Sequence, residues 1–290
     1  MAFVLLVAIV WSGAAVRLTG SGLGCPTWPQ CNGRFLTTEL DFHGAVEYGN
    51  RLVTGLVGAA VIAASLLAFR RTPFRRDLAW IGALLPLGVV GQIALGALVV
   101  ELDLPPELVM QHFLLSQLLV AASFALVWRS SRPEHAEPTE RRGTVLATRA
   151  ILPVAAFVVV LGTITTGAGP HPGTNGDQVA DRFVFRGGDT LNWMIHWHGR
   201  FGTLLGLCAL ALWLYVRRND AKPQLRRATT ALALLLATQG IVGLVQYETA
   251  LPASLVWVHV VLATLTWISV LWAVAAAGRL PREHAAARPA

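Results

Sequence analysis

Residues 92–112 read QIALGALVVELDLPPELVMQH, and residues 239–259 read QGIVGLVQYETALPASLVWVH. Each stretch contains the end of one apolar run, a short polar turn and the start of the next apolar run. Five residues recur at one offset of 147 positions: Gln92 and Gln239, Gly96 and Gly243, Glu101 and Glu248, Pro105 and Pro252, and His112 and His259. Thr19-Gly20 and Thr166-Gly167 keep the same offset. A fixed offset over several elements indicates an internal repeat.

The composition predicts an integral membrane protein. Of the 290 residues, 54% are hydrophobic and only 13% are charged, whereas soluble proteins carry about 25% charged residues. The charges lie in short islands between eight apolar runs, and most of these runs are long enough to cross a hydrocarbon core of about 30 Å. The predicted spans are residues 2–17, 50–69, 78–99, 108–128, 150–168, 193–216, 228–247 and 254–277.

The repeat and the spans together predict the fold class. We expect an all-α integral membrane protein whose eight transmembrane helices form two tandem four-helix bundles. Residues 1–128 form the N-terminal half, 129–149 a polar cytoplasmic linker, 150–277 the C-terminal half and 278–290 a cytoplasmic tail. Because each half has an even number of spans, both halves have the same orientation in the membrane, as in a parallel repeat.

The net charge of +7 indicates a topology and not a nucleic-acid site. Alternate loops hold 17 of the 23 basic residues, namely 70–76, 129–149, 217–227 and 279–288. Basic loops face the cytoplasm, so both termini are predicted on the cytoplasmic side of the plasma membrane. The N-terminus lacks the features of a cleavable signal peptide, and the short first span leads us to expect a natural start upstream of Met1.

Histidines inside the apolar runs are the candidate metal ligands. Ionisable residues at membrane depth are costly and usually functional, and a neutral imidazole is a common axial ligand of haem iron. His112 and His259 occupy equivalent places in spans four and eight, while His196 and His198 lie at the start of span six. Histidines from two facing helices would give bis-histidine ligation of a haem.

His196 and His198 cannot both face the same haem. They are two positions apart, and a helix turns by about 100° per residue, so the two side chains point in nearly opposite directions. Both residues stay candidates. The second half has extra residues at this point, so the alignment of the two repeats is ambiguous, and Arg51 aligns best with Arg200. The sequence does not indicate which of the two faces the haem.

The first long loop and the start of span two carry a second group of reactive side chains. Cys25 and Cys31 lie on the predicted outer face, where oxidising conditions allow a structural or a redox-active disulfide. Glu47 lies at the outer end of span two. Its carboxylate either stabilises the helix N-terminus or handles protons at a reactive site. Arg51 and Arg200 could bind haem propionates or extend towards water.

The run RLTGSGLGCPTWPQC at residues 17–31, the Glu47-Tyr-Gly-Asn50-Arg51 helix start, the two repeats of four spans and the repeated histidines together resemble haem A synthases. These are enzymes of cytochrome oxidase assembly. The resemblance implies oxidation of the C8 methyl group of haem O to a formyl group, by successive hydroxylations with oxygen from water. It also implies a haem b cofactor in the C-terminal half and a haem O substrate site in the N-terminal half.

The resemblance also implies roles for individual residues. His259 and one of His196 and His198 would ligate the haem b, and His112 would ligate the substrate haem. Glu47 would be the essential acid, beside the cysteine pair of the loop, Cys25 and Cys31.

One position departs from the family pattern. Members commonly have Glu-x-x-His-Arg in span two, and here the histidine position is Asn50. Asparagine is a poor ligand for haem iron. Either His112 ligates the substrate haem alone and leaves an open iron position, or His43 takes the second place.

Two other functions fit the same pattern. The first is a dihaem b-type cytochrome for electron transfer or quinone reaction, and the second is a haem-binding assembly chaperone or transporter. Glu47 and the cysteine loop favour the synthase, because an electron carrier has no need of them. The expected partners are the lipid bilayer, haem O synthase and an electron acceptor, and no nucleic acid.

Overall fold

A computed structural model describes residues 1–25, 27–31, 41–134, 140–174 and 181–280. Within these ranges the chain forms eight α-helices and no extended strand, which confirms the prediction of an all-helical protein. The helices are α1 (Ala2–Leu18), α2 (Phe42–Arg70), α3 (Arg76–Glu101), α4 (Pro106–Ser130), α5 (Arg142–Ala168), α6 (Thr190–Arg218), α7 (Pro223–Glu248) and α8 (Ala253–Ala277). Residues 135–139 of the predicted linker and 281–290 of the predicted tail lie outside the described ranges.

The helices have the length and polarity of membrane spans. Seven of them, α2 to α8, are long and apolar enough to cross a membrane, and α1 is a shorter apolar helix of 17 residues. Large apolar side chains face outward, such as Leu67, which is 72% exposed, and Leu234, which is 65% exposed. So extensive an apolar surface is unfavourable in water and favourable in lipid. The protein is therefore a multi-pass membrane protein.

Several helices extend beyond the apolar runs from which they are predicted. Helix α2 begins at Phe42, eight residues before the predicted span, because the side chain of Asp41 accepts a hydrogen bond from the backbone N–H of Gly44 at 2.8 Å and caps the helix. Helix α5 begins at Arg142, inside the stretch predicted as linker. Hydropathy identifies only the apolar part of a helix that lies within the membrane, so it does not predict polar first turns.

The two halves show the same pattern of helix neighbours. Helix α1 contacts α2 and α4, and α3 contacts the same two helices; α5 contacts α6 and α8, and α7 contacts the same two helices. Between the halves, α4 contacts α5 and α8, and α1 contacts α8. At the contact of α4 with α8, the indole N–H of Trp267 donates to the backbone carbonyl of Gln117 at 3.2 Å.

The loops that follow α1 and α5 are joined by hydrogen bonds. Arg17, at the end of α1, donates to the backbone carbonyls of Thr166 at 2.8 Å and His171 at 2.9 Å. The N–H of Gly22 donates to the carbonyl of Gly173 at 2.8 Å. Gly173 has a φ of +110°, a conformation that residues with a Cβ rarely adopt. These bonds connect the first half to the second at this end of the helices.

Candidate functional site

The repeated glutamines hold the backbone of the repeated histidines. The side-chain amide of Gln92 in α3 donates to the carbonyl of His112 in α4 at 3.0 Å, and Gln239 in α7 donates to the carbonyl of His259 in α8 at 3.1 Å. Each bond joins two neighbouring helices beside a histidine. The two halves thus fix the backbone of their histidines in the same way, which explains why glutamine and histidine recur together.

The repeated glycines make space for the imidazole rings. A Cβ placed on Gly96 would lie 3.5 Å from Cε1 of His112, and one placed on Gly243 would lie 3.3 Å from Cε1 of His259. A Cβ on Gly243 would press on the ring and one on Gly96 would touch it, since carbon atoms pack best at about 3.5–4.0 Å. Glycine therefore allows the histidine rings to lie directly against the neighbouring helix.

His198 of α6 faces His259 of α8. Their ring centroids are 6.1 Å apart and the ring planes are inclined by 71°. The Nδ1 atoms of both rings are buried and have no hydrogen-bond partner in the described part of the chain. Gly162 of α5 lies against His198, where a Cβ would come within 3.0 Å of Cε1. Buried polar atoms without partners are uncommon and unfavourable, so this pair is suited to receiving a ligand.

His196 lies outside this pair. Its side chain is exposed, its Nδ1 is 2.8 Å from the backbone carbonyl of Asn192, and its ring lies 6.4 Å from that of Tyr247. Of the two histidines that the sequence leaves open, His198 is therefore the one that faces His259. The helical geometry expected from their spacing explains why the other is directed away.

The separation of the two rings leaves room for a metal atom between them. Two metal–nitrogen bonds of about 2 Å each, together with the radii of two imidazole rings, place the ring centres roughly 6 Å apart. The separation of His198 and His259 agrees with this distance. Gly202 lies one turn after His198 on the same face of α6, and a Cβ there would meet no atom within 4 Å. Open space therefore lies beside this position of α6.

In the first half, His112 is half-buried like His259, but the side chains of α2 differ from those that α6 presents to His259. Its Nδ1 is also buried without a hydrogen-bond partner within the described ranges. The side-chain oxygen of Asn50 accepts a hydrogen bond of 2.7 Å from Ser12 of α1. His43 lies at the start of α2, with Nδ1 2.9 Å from the hydroxyl of Ser21. Asn50 and His43 are thus each bound to the first helix or its loop.

Glu47 and Arg51 fasten the cysteine loop to α2. Glu47 is only 5% exposed; it accepts a hydrogen bond of 2.8 Å from the N–H of Cys25 and forms an ion pair with Arg51. Arg51 also donates to the loop carbonyls of Thr27 at 2.7 Å and Gln30 at 3.0 Å. The carboxylate and the guanidinium are one turn apart on the helix. Together they fix the loop across the end of α2.

The predicted disulfide is confirmed. Cys25 and Cys31 are bonded, both are fully buried, and Tyr48 packs against them. The disulfide closes the loop that Glu47 and Arg51 hold. Cys208 of α6 is a free, half-buried cysteine.

The arginines near the site differ in how their guanidinium groups are used. Arg51 is committed to Glu47 and to the loop, whereas Arg200 is exposed and lies 5.0 Å over the ring of Trp197, a cation–π arrangement. Arg200 therefore has donors available for an anion.

The sequence gives no indication of two residues that shape the site. Gly162 makes room for His198, but its counterpart at the repeat offset is Ala15, so the repeat does not mark it. Ser12, which donates a hydrogen bond to Asn50, belongs to no recognisable sequence motif. Only the packing of α5 on α6 and of α1 on α2 reveals them.

Comparison with known proteins identifies the family. Residues 1–271 match the model of the family described as cytochrome oxidase assembly protein. The chain belongs to this family. The match covers all eight helices except the last turns of α8.

Proteins named heme A synthase are among the relatives of this chain. The chain is 32% identical over 115 residues to that of Alkalihalophilus pseudofirmus, with 39% of each chain covered. It is 33% identical over 117 residues to that of Halalkalibacterium halodurans, with 40% of this chain and 39% of the relative covered. For Lysinibacillus sphaericus the identity is 31% over 122 residues, with 42% and 40% covered.

The matched stretches span about two fifths of the length of these curated relatives. The family match extends much further along the chain. Together they confirm the resemblance to haem A synthases that the sequence motifs indicate.

Proposed function

We propose that this protein is a haem A synthase, which oxidises the C8 methyl group of haem O to a formyl group by successive hydroxylations. The observation that carries the proposal is the buried pair of His198 and His259 in one half, combined with Glu47 beside a disulfide loop in the other. The relatives named heme A synthase support it.

We further propose the architecture expected from the repeat. All eight helices cross the plasma membrane, as two four-helix bundles of parallel orientation within residues 1–128 and 150–277. The linker 129–149, the tail 278–290 and both termini are cytoplasmic. The matching neighbours of the helices in each half and the basic residues of the alternate loops support this arrangement.

In the C-terminal half, His198 and His259 would hold a haem b through their imidazole nitrogens. When bound, the haem supplies one-electron redox chemistry. Gln239 fixes the backbone of His259 and Gly162 accommodates the ring of His198, so the surrounding helices orient both ligands before the haem binds. Arg200 would bind a propionate, because its guanidinium is exposed near this site.

In the N-terminal half, His112 would bind the iron of the substrate, haem O. Asn50 is engaged by Ser12 and His43 is adjacent to Ser21, which supports His112 as the ligand on its own. A propionate of the substrate would compete with the loop carbonyls for Arg51. Haem O would enter laterally from the bilayer or be delivered by haem O synthase.

Glu47 would act as the proton acceptor. Hydroxylation of a methyl group by water releases protons and electrons, so the reaction needs a base near the substrate and an electron acceptor outside the protein. Arg51 has loop carbonyls as alternative partners. It can therefore release Glu47 without losing all its hydrogen bonds. The disulfide loop would cover the outer end of this half and exclude bulk water.

Expression in a host that makes haem O but not haem A tests the function. Haems extracted from the purified protein are separated by chromatography, and we expect haem A together with haem b. Glu47→Gln should abolish conversion and retain haem b, whereas His259→Ala should lose haem b. Glu107→Gln, a change of an exposed carboxylate in the first turn of α4, is the control and should convert normally.

The equivalence of His112 and His259 also favours a second candidate, a dihaem b-type electron-transfer cytochrome. Such a protein would bind haem b in both halves and convert no haem O. Two haem b groups per chain without haem A or hydroxylated haem O would therefore refute the synthase and support the cytochrome. A haem-binding chaperone would instead release unmodified haem O.

A further inference from the structure

At the basic end of the first half, two arginines are paired with a carboxylate of the same half. Asp77 in the first turn of α3 binds the guanidinium groups of Arg75 and Arg129, each at 2.7 Å. Arg75 donates in addition to the backbone carbonyl of Arg129 at 3.0 Å. The hydrogen bonds to Asp77 hold the pKa of the Arg75 guanidinium above its ordinary value. These cations are therefore already satisfied within the protein.

The second half has lost this carboxylate. The repeat offset of 147 residues places Gln224 at the position of Asp77 and Lys222 at the position of Arg75. The other changes at equivalent positions are Ala276 for Arg129, Arg227 for Trp80 and Trp272 for Ala125. Cations are kept at the start of α7, but the acidic side chain that would pair with them is absent from the equivalent position.

A cavity of about 430 Å³ lies where these changes meet, between the start of α7 and the end of α8. Its walls are formed by Lys222, Pro223, Gln224, Arg227, Trp272 and Ala276. The first half also has a cavity of about 440 Å³ at its basic end, but that one includes Glu134 and the neutralised Arg75. Of these two cavities, the one at the start of α7 has cations and no acidic side chain among its described lining residues.

The two cations of this cavity are available to a ligand. The side chains of Lys222 and Arg227 are exposed and form no ion pair or hydrogen bond with the residues that the structure describes. Their neighbour Arg226, by contrast, is paired with Asp220 at 3.1 Å. Glu140 accepts the backbone N–H of Lys222 at 2.9 Å, so the side chains and not the helix terminus would bind an anion.

We propose that this cavity binds a phosphate group, carried by an anionic phospholipid or present as a free phosphate ion. Lys222 and Arg227 would donate charge-assisted hydrogen bonds to the phosphate oxygens, and the amide of Gln224 would add a neutral donor. Trp272 lies near the end of a membrane helix, the level at which indole rings meet lipid headgroups. Basic pockets at this level bind anionic headgroups.

Binding to the purified full-length chain in detergent tests the proposal by native mass spectrometry. The probes are phosphatidylglycerol, phosphatidylcholine with the same acyl chains, and inorganic phosphate as a competitor. Gln224→Asp restores the carboxylate of the first half and should weaken phosphatidylglycerol binding about fivefold, the effect of one cation near a membrane surface. Gln224→Asn has nearly the same size and no charge, and should bind like the unchanged protein.

A double change provides a second comparison. Lys222→Gln with Arg227→Gln should weaken binding roughly 25-fold if the two contributions add. Arg70→Gln with Arg76→Gln removes the same charge from exposed residues that line neither cavity, and should leave binding unchanged.

The outcomes separate the two sources of phosphate. Binding of phosphatidylglycerol that inorganic phosphate does not displace supports a lipid site, while displacement at millimolar phosphate supports a site for the free ion. Equal binding of phosphatidylglycerol and phosphatidylcholine, or equal effects of Gln224→Asp and Gln224→Asn, would overturn the proposal. Haem conversion is not measured, so this result is independent of the proposed function.

Discussion

Gly243→Ala tests whether the space beside His259 is needed to hold a haem. The new Cβ would lie 3.3 Å from Cε1 of His259, closer than the favourable range of about 3.5–4.0 Å, and 3.7 Å from Nδ1, which is within that range. The ring must therefore shift by a few tenths of an ångström. A metal–ligand distance tolerates about 0.2 Å, so a shift of this size disturbs ligation while leaving the helix intact.

We expect the change to weaken haem b binding about tenfold, the lower end of the effect of altering the groups around a metal ligand. This corresponds to about 1.4 kcal/mol. Gly240→Ala is the matched control, because it lies on the same helix and its Cβ would meet no atom within 4 Å. Both changes gain about 1 kcal/mol in helix propensity, so this contribution cancels in the comparison.

The assay is titration of haem into protein purified without haem, followed by the absorbance of the bound state. Thermal unfolding of the haem-free proteins is measured in parallel. Equal haem affinity of the Gly243→Ala and Gly240→Ala proteins would refute the argument. A lower unfolding temperature of haem-free Gly243→Ala would instead show that the contact acts on packing alone.

Three further predictions concern single contacts. His198→Ala should lose haem b whereas His196→Ala should retain it, because only the former removes a ring facing the other ligand; the ratio of haem to protein decides. Arg51→Lys should accelerate reduction of the loop disulfide by a phosphine, since lysine cannot replace a guanidinium that binds several carbonyls. Arg200→Lys is the control, and equal rates of reduction in the two variants would show that Arg51 does not hold the loop. Arg17→Met should lower the free energy of unfolding by about 1.5–3 kcal/mol, the contribution of hydrogen bonds from a charged donor; an unchanged melting temperature would contradict this.

The repeat predicts much of the fold and the equivalence of the histidine environments. The repeated glutamine holds the carbonyl of the repeated histidine in both halves, as Gln92 with His112 and Gln239 with His259 show. Such contacts join helices that are adjacent in the chain, so the spacing of apolar runs is sufficient to place them together. Hydrophobic periodicity alone would not have indicated which polar residues belong to one site.

Other features depend on geometry that the spacing does not determine. Which of His196 and His198 faces His259 depends on how α6 is rotated about its axis. That rotation is set by the packing of α6 on α5 and α7 and not by the local sequence. Likewise, the contacts of Arg51 with the cysteine loop follow from the path of that loop across the end of α2. The sequence indicates only that a cation and two cysteines are near the same surface.

The hydrogen bonds that connect the loops after α1 and α5 do not follow the repeat. At the repeat offset, the counterpart of Arg17 is Ile164, an apolar residue that cannot bind a carbonyl. Within the described parts of the two loops, the Arg17 connection therefore has no symmetric copy. A pair of identical four-helix subunits would have formed either two such connections or none. The Arg17 contact is thus a point at which the two halves are not interchangeable, because the end of α1 holds the loop after α5 while the end of α5 carries no equivalent donor.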